Sequence, residues 1–358
     1  MKIIHCADIH LDSKMESNLP AKLANERRVE LRDSFCHLVE YAKTADVSVV
    51  IIAGDMFDED RCSSTTLQTV FGSISNAPDI SFLYLQGNHG TAELLSSVDL
   101  PSNFFRFGSE WTTFEFENVS IQGVEITQDN YKTIYGSYIP NPNAVNIAVL
   151  HGDLAGSPGP NCLASSLLER MPVDYFALGH RHSFSEWRSN SKGVLCYSGC
   201  LEGRGFDECG EKGFVELSIS EDGAVKSRFI PSSKRVMHEV KVDISGLESH
   251  PEILNACKAA ARNISSKDLV KFVLCGHVSA DANRDLFALK QSLEKEFYFA
   301  KVVDSSTLSI DIERYEKAAS LQGEFVRVVM SNGNLSDEDK QQIMTCGLRA
   351  LAGEKAIL

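Results

Sequence analysis

The sequence predicts an α/β fold of two facing sheets, followed by a smaller α+β unit. Three observations predict it. The first 85 residues alternate β-α-β-α-β. The middle of the chain changes to short strands with Gly or Asp-Gly turns. Near Pro231-Ser232-Ser233-Lys234 the composition shifts, and a second strand–helix alternation begins.

The elements follow in order. Ile3–Cys6 is a short apolar run ending at Ala7-Asp8, and reads as a buried strand. Leu31, Phe35, Leu38, Val39 and Ala42 recur at helical spacing. Val47–Ala53 is β-branched and continuous, as a strand of a parallel sheet covered on both faces is. Leu67, Val70, Phe71 and Ile74 form another helical face, and Ile80–Leu85 the next strand. Phe114–Phe116 and Val119–Val124 read as a hairpin. Val145–Leu150 and Tyr175–Leu178 are further buried strands, with a helix expected around Leu163–Met171. The strands expected between Phe184 and Ile230, with a turn at Glu221-Asp222-Gly223, are assigned to the second sheet. Beyond residue 235 come a strand (His238–Ile244), a helix (Pro251–Ile264), a strand (Leu269–Cys275), a helix (Ala282–Phe297) and a strand (Ala300–Asp304). The segment Asn334–Leu351 opens on a helix-capping Ser336 before Asp337-Glu338-Asp339. The expected division is therefore 1–235, 236–332 and a helical tail, 333–358.

Composition removes some classes of function. No run approaches the ~18 unbroken apolar residues a membrane span needs, and the first eight residues are too soon polar for a signal peptide. A cytoplasmic protein with no membrane association is expected. The ten cysteines include no C-x-x-C pair or zinc-like spacing, which fits free thiols in a reducing compartment. Net charge is −14, made up of −11 in residues 1–235 and −3 in the remainder. Such a surface repels nucleic acid, because phosphate contacts dominate that affinity. If the chain handles DNA, it needs bound cations, a local basic strip or a partner. The tail Asn334–Leu351 is the candidate docking segment for that partner.

Five polar clusters each follow an apolar strand: Asp8-Ile9-His10, Gly54-Asp55-Met56-Phe57-Asp58, Gly87-Asn88-His89, His151-Gly152-Asp153 and Gly179-His180-Arg181-His182. In α/β sheets, ligands bind beyond the carboxyl ends of the strands, so the five can converge on one edge. Asp, His and an Asn oxygen together suit Mn²⁺, Fe²⁺ or Zn²⁺. Asp8, His10, Asp55, Asn88, His151, His180 and His182 exceed the needs of one four-coordinate zinc. They suit two metals bridged by a carboxylate, the clamp that serves in-line attack on phosphorus. Taken singly, an Asp-x-His is more often a surface pair and a lone His a satisfied core residue. The joint reading rests on five clusters in order, each at a strand end. His5, His37, His238, His250 and His277 lack that context and are read as structural. The Gly-rich segment Leu201–Phe214 is read as a long hairpin loop, and a phosphate contact by its Arg204 is the minor alternative.

These motifs in this order resemble the calcineurin-like metallophosphoesterase superfamily. Within it the chain resembles the SbcD-type DNA-repair exonucleases, on Ile4-His5-Cys6-Ala7-Asp8-Ile9-His10-Leu11-Asp12, on Gly54–Asp58, and on Tyr197-Ser198-Gly199 leading to Gly210-Glu211-Lys212-Gly213-Phe214. The resemblance covers residues 1 to about 235 and, in architecture alone, a C-terminal capping domain. It implies a four-layer α-β-β-α sandwich. It implies that Asp8, His10 and His182 hold one metal, that Asn88, His151 and His180 hold the other, and that Asp55 bridges. His89 would act on the scissile phosphate, with Asp58 supporting the ligands. Manganese, a DNA substrate, a homodimer and an SbcC-type ATPase partner are also implied. The family's usual Gly-Asn-His-Asp reads Gly87-Asn88-His89-Gly90 here, which puts the setting of His89 in question. Two rival readings stand beside a DNA exo/endonuclease: a phosphatase or phosphodiesterase for a small molecule or phosphoprotein, and a regulatory relative with weak catalysis.

Overall fold

The computed structural model describes residues 1–15, 19–58, 62–88, 92–96, 98–188, 193–279, 285–308 and 312–351. The chain forms two compact units, Met1–Met237 and His238–Leu358.

The first unit begins β1 (Lys2–Cys6), α1 (Ala21–Thr44), β2 (Val49–Ala53), α2 (Ser64–Ser75), β3 (Ser81–Leu85), α3 (Ala92–Ser96) and β4 (Phe104–Arg106). It continues β5 (Thr112–Phe116), β6 (Val119–Gly123), α4 (Ile134–Ser137), β7 (Val145–His151), β8 (Asp153–Ala155), β9 (Cys162–Ala164), α5 (Ser165–Leu168) and β10 (Tyr175–Gly179). It ends with β11 (Ser185–Arg188), β12 (Val194–Tyr197), β13 (Gly213–Ile219) and β14 (Val225–Pro231). Two six-stranded sheets result, ordered β14-β13-β1-β2-β3-β4 and β11-β12-β10-β7-β6-β5. In the first, β1 to β4 run parallel. In the second, β6, β7, β10 and β12 run parallel.

Side-chain alternation explains the layering. Val49, Ile51 and Ala53 of β2 meet Ile147 and Val149 of β7, and Tyr175 and Ala177 of β10, in one core between the sheets. Val50 and Ile52 point the other way and are equally buried, on the side that α1 and α2 cover. Tyr41 of α1 packs edge-on against Phe214 of β13, and Phe71 of α2 against Phe104 of β4. The outer face of the second sheet has a thinner cover: Ala148, Leu150, Phe176 and Leu178 pack on Ile134, Leu168 and Met171. The unit is thus an α-β-β-α sandwich, and each fully buried Ile, Val or Leu contributes about 1.5–3 kcal/mol to it.

Two sequence expectations are corrected. The helix around Leu163–Met171 is a single turn, α5, because Cys162–Ala164 extends to pair with Asp153–Ala155. The strands between Phe184 and Ile230 do not all join the second sheet. β11 and β12 do, but β13 pairs antiparallel with β1, carrying β14 with it into the first sheet. The inward side chains Val215, Leu217 and Ile219 fill the core between the sheets beside Ile3. Short strand β4, unread in the sequence, extends the first sheet beyond β3.

The second unit comprises β15 (Met237–Asp243), α6 (His250–Ala260), β16 (Leu269–Cys275), β17 (His277–Val278), α7 (Leu286–Leu293), β18 (Phe299–Asp304), β19 (Thr307–Leu308), α8 (Ile312–Lys317), α9 (Leu321–Ser331) and α10 (Asp337–Leu351). Val270, Phe272 and Leu274 of β16 pack with Ile253 and Cys257 of α6 and with Leu289 and Leu293 of α7. Val326 and Val329 of α9, and Met344 and Leu348 of α10, bury in that same core. Ser336 accepts from the Asp339 N–H at 3.1 Å, the capping contact its position suggested. Among the described residues, no helix is long and apolar enough to cross a membrane.

Candidate metal centre

The parallel strands of both sheets end at one edge, and the polar clusters sit on the turns that leave them. Asp8 and His10 follow β1, Asp55 and Asp58 follow β2, and Asn88 follows β3. His151 ends β7, while His180 and His182 follow β10. The turns are tight. Asp8, His10, Asp55 and His180 all have positive φ (51°, 50°, 51° and 108°), a conformation that non-glycine residues adopt at a cost. Holding four such residues at one edge aims their side chains inward at the expense of backbone comfort.

Glycine allows the close approach. Gly54 has φ +103°, and a Cβ there would collide with the His151 imidazole. Gly87, at φ +85°, leaves room for the Asp55 carboxylate in the same way.

Two clusters of donor atoms form. Asp8, His10 and His182 bring one ligand atom each within 4.8 Å of one another, as do Asp8, Asp55 and His151. His10 Nε2 and His182 Nε2 face each other at 3.3 Å. Asp55 Oδ2 lies 3.3 Å from His151 Nε2 and 3.9 Å from His10 Nε2, so its carboxylate reaches a ligand atom of each cluster, while Asp8 belongs to both. Asn88 Oδ1 lies 2.8 Å from His151 Nε2 and 3.2 Å from His180 Nδ1. The backbone N–H of His180 donates to both oxygens of Asp8, at 3.0 Å each. All seven expected ligands are therefore brought together. Asp8, His10, Asp55 and His151 are buried, His180 and His182 are half-buried, and Asn88 is exposed.

The chemistry of this donor set fits divalent cations. His151 Nδ1–H donates to the Ala53 carbonyl at 2.9 Å, which leaves its Nε2 lone pair facing the Asn88 and Asp55 oxygens. Acceptors facing acceptors repel unless a positive charge lies among them. In the protein alone a proton on His151 can supply it. Burial would depress this imidazole, but the Asp55 contact and charge prevail and raise its pKa to about 9. Burial lowers His10, partly offset by Asp58, and lowers His180, with His151 adding to the effect. Neutral imidazoles with inward lone pairs are the metal-binding form.

Asp58 Oδ1 lies 3.0 Å from His10 Nδ1, on the ring edge away from the cluster. His89 and Gly90 lie outside the described residues. The segment Leu201–Phe214, expected as a long hairpin loop, instead connects strands of different sheets. It lies against the site: Glu208 Oε1 is 2.7 Å from His182 Nδ1, and Arg204 donates to Asp58 Oδ1 at 3.2 Å and Glu208 Oε1 at 2.8 Å. Burial favours a protonated Glu208, but His182 and Arg204 outweigh it and hold the carboxyl well below its usual range. Sequence reading missed Glu208. Its only signal was the run of glycines around it, which lets a chain fold tightly but names no partner. Arg204 is bonded to both carboxylates. His5, read as structural, is fully buried with Nδ1 3.0 Å from the Tyr175 hydroxyl.

Fold and site together place a cluster of candidate metal ligands at the carboxyl edge of a double sheet. A family profile for calcineurin-like phosphoesterases matches residues 1–184, and the chain belongs to that family. It is 27% identical over 277 residues to the uncharacterized metallophosphoesterase YhaO of Bacillus subtilis, covering 68% of this chain and 64% of that one. It is 26% identical over 261 residues to the DNA double-strand break repair protein Mre11 of Methanopyrus kandleri, covering 64% and 56%. The chain thus spans less than two thirds of the length of these relatives. Among solved structures, a dimetal phosphatase from Danio rerio aligns with TM-score 0.41 at 13% identity, over 65% of this chain and 99% of that one.

Proposed function

We propose that this protein is a two-metal phosphodiesterase of the SbcD type, acting on DNA as an exo- or endonuclease in repair or recombination. The observation that supports the reading is the reach of the Asp55 carboxylate to a histidine of each ligand cluster, 3.3 Å from His151 and 3.9 Å from His10. The likeness to Mre11 proteins of Methanopyrus kandleri and Methanosarcina acetivorans supports the choice of DNA.

Asp8, His10 and His182 would hold one ion, and Asn88, His151 and His180 the other, with Asp55 shared. Two divalent cations, manganese in this reading, supply Lewis acidity and a clamp across the attacking and leaving oxygens of an in-line displacement. The protein's own residues do the rest. Asp58 and the Ala53 carbonyl turn His10 and His151 so that their Nε2 atoms face inward. His89 is assigned the proton or positive charge that the departing alkoxide needs. The second unit is assigned the role of a capping domain, and the assembly is a homodimer working in the cytoplasm with an SbcC-type ATPase that adds basic surface.

The net charge of −11 on residues 1–235 favours a second reading, a phosphodiesterase or phosphatase for a small or protein-borne ester. The two separate in one assay. Manganese-dependent shortening of end-labelled linear DNA, faster than hydrolysis of p-nitrophenyl phosphate esters, supports the nuclease. Hydrolysis of the small esters alone supports the second reading. Two bound metals without turnover on either would point to a regulatory relative.

A further inference from the structure

His182 is held both by its ring and by its backbone. Glu208 Oε1 lies 2.7 Å from its Nδ1, on the ring edge opposite His10. Its backbone oxygen accepts from Lys212 Nζ at 2.7 Å, and Lys212 is 1% exposed. Glu208 is itself fixed, for its other oxygen accepts from the Arg204 backbone N–H at 2.8 Å. The Arg204 guanidinium bonds Glu208 Oε1 on one side and Asp58 Oδ1 on the other. Asp58 in turn lies 3.0 Å from His10 Nδ1.

The protonation pattern follows. A carboxylate oxygen 2.7 Å from a bare imidazole nitrogen would set lone pair against lone pair, so Nδ1 of His182 carries hydrogen and donates to Glu208. Arg204 also approaches that nitrogen at 3.1 Å, but its N–H groups then serve the two carboxylates. Nδ1–H leaves the His182 Nε2 lone pair free, facing the His10 Nε2 lone pair at 3.3 Å. An outer carboxylate that fixes an imidazole in this way raises its strength as a metal ligand.

We propose that Glu208 and Arg204 are the positioning pair of one half of the metal centre: Glu208 sets the His182 tautomer, and Arg204 ties Glu208 to Asp58 so that His10 and His182 are oriented together. The proposal rests on the two-metal reading above and adds that the Asp8/His10/His182 half is pre-formed by the loop at residues 200–212.

The test uses the full chain, labelled with ¹⁵N-histidine and freed of metal, as wild type, Glu208→Ala and Glu208→Gln. Long-range ¹H–¹⁵N correlation reads the His182 tautomer, and calorimetric titration with Mn²⁺ reads metal affinity. In the wild type His182 should be the Nδ1–H tautomer. Glu208→Ala should shift it toward Nε2–H and weaken one Mn²⁺ step about 10–100-fold while sparing the other. Glu208→Gln keeps an acceptor oxygen and should restore the tautomer and most of the affinity. If Glu208→Ala does not fold, Arg204→Gln is read for the same selective weakening. An unchanged tautomer in Glu208→Ala overturns the proposal, as does equal weakening of both steps, which marks a general structural role. A wild type that takes up no metal refutes the two-metal reading instead, and the tautomer still decides what Glu208 does.

Discussion

His10 Nε2 and His182 Nε2 face each other at 3.3 Å, although the residues stand 172 positions apart and follow strands of different sheets. Two imidazoles at that distance repel when both present lone pairs. The fold opposes this with packing between the sheets, where Ile3, Ile51, Val149 and Ala177 are buried beneath the site. The site is therefore a place where folding energy holds like groups together for a cation.

His5 is fully buried in β1, and burial depresses its pKa from 6.5 to about 3. Between those values the unfolded chain binds a proton that the folded chain refuses. Stability from this group is complete above 6.5 and is lost as pH falls toward 3. One proton gives a slope of at most about 1.4 kcal/mol per pH unit. Urea unfolding of metal-free protein, followed from about pH 7 to about pH 4.5, should show a smaller loss of stability in His5→Asn than in wild type. Equal losses would mean that His5 takes up its proton in the folded state.

Arg27 on α1 is 0% exposed and bonds Glu30 at 2.6 Å and the buried Glu202 at 2.7 Å. Glu30 keeps Arg235 at 2.9 Å when Arg27 is removed, whereas Glu202 keeps neutral donors, Ser34 Oγ and the Lys234 N–H. Arg27→Met should cost about 3–5 kcal/mol, the penalty of stranding a buried charge. Adding Glu202→Gln should recover part of it. Thermal unfolding of both variants measures this, and a single variant as stable as wild type would show that the charge finds water.

Much of this architecture was legible because the determinants are local. The continuous β-branched run at 47–53 and the helical spacing of Leu31, Phe35, Leu38 and Val39 need no knowledge of distant residues. The ligand clusters were legible because each sits where a strand stops. The partition of β11 to β14 between sheets was not, since β13 reads like any edge strand until it pairs with β1, more than 200 residues earlier. Glu208 was hidden for a related reason. A carboxylate in a glycine-rich loop is ordinary in sequence, and its role appears only when the loop lies against His182.

Gly54→Ala should lose activity by a steric route. At φ +103° a side chain costs about 1–3 kcal/mol, and here the added methyl also meets the His151 imidazole. The relief is to displace the ring, which breaks its alignment with Asn88 and Asp55. The variant should fold with a lowered Tm and take up less metal in the His151 half. Unchanged metal content and turnover would show that the turn can re-form around a Cβ.

Asp55→Asn is the most direct test of the centre. The substitution keeps size and one oxygen but removes the charge that lies 3.3 Å from His151 Nε2 and 3.9 Å from His10 Nε2. A group serving one ion would weaken one binding step, whereas a shared carboxylate also screens the repulsion between two cations. Both Mn²⁺ steps should therefore weaken, and turnover should fall by more than the ~100-fold that marks the upper range for an outer-shell partner. The metal-free protein offers a second readout. Asp55 is the main group that lifts the His151 pKa from 6.5 to about 9, and a raised imidazole stabilises the fold fully below 6.5. That contribution is lost as pH rises toward 9. Metal-free wild type should thus lose stability over this window, and Asp55→Asn should lose less, because its His151 has no neighbouring carboxylate at that position to hold the proton. A variant that retains two metals per chain and normal turnover would show that Asp55 does not bridge. A variant with weakened metal binding but an unchanged pH profile would show that the proton on His151 is held by other groups, with Asp8, the next charge acting on this ring, the first to examine.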